Sequence, residues 1–175
     1  MQGSGRQIAR PTVAEHATVY ADDFEAGQRI PLGCRFVSEE EIVEFARKWD
    51  PFPFHLDRDA AAKSEFGGLV ASGLHVLAIL QVLEFEAVLH RTAMVAGLGF
   101  DEMRLHAPAY AGDTLTGSMV IRTVRMRADG RAVVTWQGLL DRGHTRVLSM
   151  EGAAMIRQRP TSPEVRDDAG RIGVR

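Results

Sequence analysis

The sequence predicts an α+β domain in which an antiparallel β-sheet wraps around one long α-helix. Residues 66–83 carry no charged side chain, and the helix predicted from about Ser72 to His90 is apolar nearly all round over its first three turns. Protein should therefore surround that helix on most sides. From Gly99 onwards, β-rich segments alternate with tight-turn signals. A sheet wrapped around a single buried helix satisfies both patterns.

An amphipathic helix is predicted directly after Ser38, which stands three residues before Glu41 at the spacing of a capping box. Apolar residues then recur at helical intervals as far as Trp49. Pro51 should end this helix, because a proline disfavours the helical conformation in the residue before it, here Asp50. A short helix capped by Asp57 is expected to follow.

Strands are predicted on both sides of these helices. One precedes the amphipathic helix and four follow the long helix, with Asp129–Gly130 and Arg142–Gly143 as tight turns. The predicted strands run from Arg29 to Val37, Gly99 to His106, Leu115 to Arg127, Arg131 to Asp141 and Thr145 to Arg157. Tyr110, Asp113 and Thr114 should form a turn between two of them.

Composition excludes several classes of function. The chain has 175 residues and a formal net charge of −2, and no basic run indicates binding to nucleic acid or to an anionic membrane. The uncharged segment 66–83 is shorter than the roughly 20 apolar residues that a membrane span needs. The first 13 residues lack the apolar core of a secretory signal.

We expect one domain at residues 17–158, with a flexible N-terminal arm at 1–16 and a flexible C-terminal tail at 159–175. Cys34 is the single cysteine of the sequence, so it cannot form a disulfide within the chain or share a metal ion with a second cysteine. No metal site is predicted, and the cysteine content fits a cytoplasmic protein.

The stretch "WDPFPFHLD", Trp49 to Asp57, is the first candidate for chemistry. Pro51 and Pro53 each fix their own φ and restrict the preceding residue, so the backbone from Asp50 to Phe54 should be extended and rigid. That rigidity can hold a carboxylate at Asp50 and an imidazole at His55 in a set relation, as a general acid/base pair requires. Taken alone, this spacing is better explained by a purely structural role, in which Asp50 caps a turn and His55 serves the next helix.

The stretch "GGLVASG", Gly67 to Gly73, places small residues directly before the long helix. Glycine lets another backbone or a ligand approach closely, and the first N–H groups of a helix suit a developing negative charge. Close packing of a core helix against the sheet accounts for the same small residues.

In this order and spacing, the two stretches resemble the signature of the MaoC-like dehydratases, the R-specific enoyl-CoA hydratase group of hot-dog folds. In that family a D-x-[N/Q]-P-x-H-x-D segment precedes an F-G-G-x-[I/V]-A-x-G-x-H segment at about this distance. The segment "PAYAGDTL", from Pro108 to Leu115, is similar to the turn between two family strands. The resemblance covers roughly Tyr20 to Arg157.

The resemblance implies a hot-dog fold, a homodimer or an assembly of dimers, and reversible hydration of a 2-enoyl-CoA to the R-3-hydroxyacyl-CoA. Asp50 and His55 match the catalytic pair that holds the water. Gly73 matches the oxyanion-hole glycine, and Ser72 matches a serine that shapes the site. No cofactor is implied, because the substrate itself carries coenzyme A.

Phe52 departs from the family pattern, which has an amide at this position. Phenylalanine cannot hydrogen-bond near the active water. If Phe52 contributes to substrate binding, we expect the substrates to carry bulky, branched or otherwise unusual acyl groups. A weak or inactive member of the family would also fit this replacement. Two alternatives to the hydratase remain open. One is a hot-dog thioesterase, which usually places its carboxylate on or near the long helix, where the first charge here is Glu84. The other is an acyl-thioester-binding module without turnover.

Overall fold

The computed structural model of the chain describes residues 18–161. In chain order, the helices and strands of that range are β1 (Arg29–Phe36), α1 (Glu39–Trp49), α2 (Pro53–Leu56), α3 (Arg58–Ala62), α4 (Gly73–Ala87), β2 (Met94–Leu105), β3 (Thr114–Met126), β4 (Arg131–Arg142) and β5 (Thr145–Arg157). Short 3₁₀ turns lie at Ala21–Asp23 and Leu89–Arg91.

The five strands form one antiparallel sheet in the order β1-β3-β4-β5-β2. Helix α4 packs against the sheet, and its buried side chains join the same core cluster as alternate residues of β3, β4 and β5. This period-2 burial is what a sheet with one covered face requires. The architecture is the predicted hot-dog fold, a sheet around one long helix.

Helix α1 begins and ends where the sequence predicts. The Ser38 side chain accepts a hydrogen bond from the backbone N–H of Glu41 at 3.1 Å, and the helix stops at Trp49. Asp50 has left the helical region, with φ −157° and ψ 70°, as its position before Pro51 demands.

The predicted extended backbone from Asp50 to Phe54 is only partly correct. Phe52 is extended, with φ −70° and ψ 142°, but Pro53 begins the one-turn helix α2. Proline is well tolerated at the first position of a helix because its φ already suits the helix and its missing N–H would have no partner there. The prolines therefore set the start of a short helix that carries His55.

Helix α4 is less enclosed than its composition predicts. Leu74 and Phe85 are each 55% exposed and Val82 is 37% exposed, so one side of the helix is open in the isolated chain. Strand β2 also differs, because it begins at Met94 and not at Gly99. Ala96 and Gly97 have low β-propensity, so residue propensities alone do not predict a strand at this point.

No helix in the described part of the chain is long and apolar enough to cross a membrane. The predicted arm at 1–16 and the residues from 162 onwards lie outside the described range. Arg159 is described, and its backbone N–H donates to Asp22 at 2.7 Å while its guanidinium bonds Asp23. The chain just after β5 is thus tied to the turn before β1.

Candidate active site

Asp50 lies at the C-terminal end of α1, where the helix break turns its side chain towards the start of α4. Its Oδ2 accepts a hydrogen bond from the Ser72 hydroxyl at 2.5 Å. A hydrogen bond to a charged acceptor of this kind is among the stronger ones in proteins. The contact joins the two stretches that the sequence singled out, although they are 22 residues apart.

His55 lies in helix α2 and is 6% exposed. Its Nδ1 is 2.7 Å from the carbonyl oxygen of Val70, which can only accept, so Nδ1 carries the proton. Nε2 then points towards Asp50, 3.7 Å from Oδ2. In the neutral imidazole this places the basic nitrogen beside the carboxylate.

Gly73 is the first residue of α4, so its backbone N–H has no acceptor within the helix. Ser72 caps the helix by accepting from the N–H of Leu74 at 3.2 Å while it donates to Asp50. A Cβ added at Gly73 would lie 2.6 Å from Leu105 Cδ1. Glycine thus permits the close packing of β2 on the helix terminus.

A cavity of about 400 Å³ opens beside His55 and Gly73. We call it the site cavity. Its walls are mostly apolar and come from α2, the segment before α4, α4 itself, the end of β2 and the segment that follows β2. The lining residues are Phe54, His55, Phe66, Val70, Ala71, Gly73, Val76, Leu105, His106, Ala107, Pro108 and Ala109. An apolar cavity with few converging polar groups is the usual form of a small-molecule site.

Phe52 does not line this cavity. Its side chain is 57% exposed and stacks on Phe54, with ring centroids 5.4 Å apart. Phe54 in turn meets the His55 ring edge-on at 4.5 Å. Phe52 therefore adjoins the site through Phe54, and its predicted part in substrate binding stays a prediction.

The predicted cap at Asp57 and the predicted turn at Tyr110 and Asp113 are present, but Thr114, also predicted in that turn, is the first residue of β3. Asp57 caps α3 by accepting from the N–H of Ala60 at 2.8 Å. Asp113 closes its turn by accepting from the N–H of Tyr110 at 2.7 Å. His75 is buried, and its ring stacks on Phe45 at a centroid distance of 4.8 Å.

Three contributions to the site escaped sequence reasoning. The carbonyl of Val70 orients His55, Leu105 packs over Gly73, and His106, the residue after β2, lines the cavity. A backbone carbonyl carries no signal in the residue type, and Leu105 and His106 reach the site only through the fold. Among residues 18–161, no group of three or more metal-ligating side chains is assembled.

Comparison with known proteins identifies the family. The model of the MaoC-like domain matches residues 17–140. The uncharacterised protein YdeM of Bacillus subtilis is 34% identical over 94 residues, which cover 54% of this chain and 67% of YdeM. Protein MaoC of Klebsiella aerogenes is 29% identical over 124 residues, which cover 68% of this chain and 36% of that protein. This chain thus spans little more than a third of the Klebsiella protein.

Solved structures agree. A MaoC-like dehydratase from Rhodospirillum rubrum is 30% identical, with a TM-score of 0.75, and the match covers 82% of this chain and 99% of that one. The R-hydratase PhaJ1 of Pseudomonas aeruginosa, at 20% identity and a TM-score of 0.65, shares the fold over 81% of this chain and 88% of its own. Because the family model matches most of the described residues and the solved structures share the fold, the chain belongs to the MaoC-like dehydratase family.

Proposed function

We propose that this member of a hydratase/dehydratase family adds water reversibly across the double bond of a 2-enoyl-CoA and forms the R-3-hydroxyacyl-CoA. One observation carries the proposal. Asp50 Oδ2 lies 3.7 Å from His55 Nε2 and accepts from Ser72, the residue before the first N–H of α4, while His55 and Gly73 both line the site cavity.

The water would bind between Asp50 Oδ2 and His55 Nε2, because each atom can accept one of its protons. As the water oxygen forms its bond to C3, one proton passes to the pair. C2 receives one proton from the pair as the double bond is lost, so the pair ends in its initial protonation state. The hydrogen bond from His55 Nδ1 to Val70 leaves Nε2 as the nitrogen that exchanges protons.

The thioester carbonyl oxygen would accept a hydrogen bond from the backbone N–H of Gly73. Charge builds on this oxygen as C3 is attacked, and the positive end of the α4 dipole stabilises it. Ser72 couples the two halves of the site, since its hydroxyl donates to Asp50 and also accepts from the N–H next to Gly73 in the chain.

The position of Glu84 argues against the thioesterase. It lies eleven residues after Gly73 on α4, about 16 Å along the helix axis. Its side chain is fully buried and accepts from Trp136 Nε1 at 2.8 Å. A carboxylate so placed cannot act at a thioester held by Gly73.

We further propose that two copies pair through β2, which forms one edge of the sheet. An edge strand of twelve residues with exposed apolar side chains is a template for another strand unless it is covered. The exposed apolar side chains of β2 are Val95, Leu98, Phe100 and Leu105. The open side of α4 adds further apolar surface.

Leu98→Lys should therefore yield particles of half the wild-type mass by light scattering, because it places a charge in the paired surface. Met126→Lys is the control, since Met126 is as exposed as Leu98, at 51% against 50%, but lies on β3. A wild-type protein with the mass of one chain would disprove the pairing.

Hydration itself is tested with short, long and branched 2-enoyl-CoAs, following loss of the conjugated double bond and the chirality of the product. We expect R-3-hydroxyacyl-CoA without a resident cofactor. Release of free thiol without loss of the double bond would instead favour a thioesterase. Tight binding without turnover across the panel would favour the binding module.

A further inference from the structure

A second cavity, of about 360 Å³, lies between α1 and α4. We call it the distal cavity; its walls include Arg35, Glu41, Phe45, Trp49 and His75. Unlike the site cavity, it is lined by several charged and polar side chains. Such groups lose hydration when a ligand covers them, so they favour ligands that can replace their hydrogen bonds.

His75 is the buried polar group of the distal cavity. The residue is 3% exposed, and its Nε2 lies 3.7 Å from Glu41 Oε1, an oxygen that accepts a hydrogen bond from Arg35 at 2.6 Å. Its Nδ1 is buried without a hydrogen-bond partner among the described residues. Leaving such an atom unsatisfied costs about 1–3 kcal/mol, so its retention calls for an explanation.

The charge state of His75 suits hydrogen bonding. Burial lowers the pKa of His75, and this effect exceeds the opposing effect of the Glu41 carboxylate. The imidazole is thus neutral at neutral pH, with one nitrogen able to donate and the other to accept. The arrangement Arg35–Glu41–His75 therefore presents donors and acceptors together.

The distal cavity adjoins the candidate catalytic groups. Trp49 directly precedes Asp50 in the chain, and His75 lies two residues after Gly73 in the first turn of α4. Asp50, which lines neither cavity, connects their walls, because it follows Trp49 of the distal cavity and lies 3.7 Å from His55 of the site cavity.

We infer that the distal cavity receives the far end of the acyl group and that His75, with Glu41 and Arg35, binds a hydroxyl carried there. The inference rests on the proposed hydration at Asp50 and His55. A plain hydrocarbon would dehydrate these polar groups without replacing their hydrogen bonds. The distal cavity has two basic and two acidic side chains, Arg35, Lys48, Glu41 and Glu44, so it offers no net charge to a carboxylate, whereas a hydroxyl can both donate and accept.

The test compares 2-hexenoyl-CoA with its ω-hydroxy derivative. We expect wild-type kcat/KM to favour the hydroxylated substrate by about tenfold, the value of one hydrogen bond to a charged network. His75→Leu should lower that ratio to about one, and Glu41→Gln should lower it as well. Gln81→Leu, a polar-to-leucine change on α4 outside the distal cavity, should leave the ratio unchanged.

Hydration of both substrates with a wild-type ratio near one would overturn the inference and leave the proposed function intact. An unchanged ratio in folded His75→Leu and Glu41→Gln would do the same. If neither substrate is hydrated, the proposed function is refuted, and the inference that rests on it is refuted too. Thermal unfolding of each variant establishes that it is folded.

Discussion

Replacing Asp50 by asparagine, or His55 by glutamine, is expected to lower kcat for enoyl-CoA hydration by about 10²–10⁴-fold, the usual contribution of an acid/base group. Asparagine can still accept from the Ser72 hydroxyl, so the local hydrogen bond survives while the proton acceptor is lost. Glutamine likewise removes the imidazole without a large change in volume. Steady-state kinetics measures the loss of kcat, and thermal unfolding shows that each variant is folded.

The double variant should be little slower than the slower single variant, because groups that act as a unit are not additive. Asp57→Asn is the matched control. It changes an aspartate in the same stretch that caps α3, and asparagine caps equally well. Near wild-type turnover in either Asp50→Asn or His55→Gln would refute the assignment of the pair.

Glu84→Gln is expected to stabilise the protein at alkaline pH by up to about 3 kcal/mol, at about 1.36 kcal/mol per pKa unit. Burial raises the pKa of Glu84 from 4.5 to about 7, against the hydrogen bond from Trp136, which lowers it. Its Oε2 has no hydrogen-bond partner among the described residues. Ionisation thus leaves a charge in the core, where glutamine has none.

The sign follows from proton binding. Between pH 4.5 and about 7 the folded protein holds the Glu84 proton more tightly than the unfolded chain does. This carboxyl therefore lowers the free energy of unfolding as pH rises through that window, and its penalty is complete above pH 7. Wild type and Glu84→Gln should then be about equally stable near pH 4.5 and differ most near pH 8.

Urea unfolding at the two pH values measures the difference. Glu86→Gln is the control, because Glu86 is exposed on the same helix, and a surface change of this kind stays within about 0.5 kcal/mol. A gain for Glu84→Gln that is the same at both pH values would show that ionisation is not its cause.

The order and type of most elements follow from local sequence. Ser38 and Pro51 bound α1, Asp57 caps α3, and the turns at Gly130 and Gly143 bound β4, because each acts on backbone within a few residues of itself. The same locality explains the error at Pro53. A proline is compatible both with extended backbone and with the first turn of a helix, so local sequence does not decide between them. In the structure the helix places His55 Nδ1 2.7 Å from the Val70 carbonyl, a contact between segments that are 15 residues apart.

By itself, the sequence determined most of the helices and strands through periodicity and caps, and the resemblance of its paired motifs gave the hot-dog architecture and the residues proposed for chemistry, since all of these are properties of neighbouring residues. Only the tertiary structure decided what those residues touch. The Asp50–Ser72 hydrogen bond, the Val70 carbonyl behind His55, the burial of Glu84 against Trp136 and the exposed side of α4 depend on segments far apart in the chain. Their contacts are set by how helix and sheet pack, which no local pattern encodes.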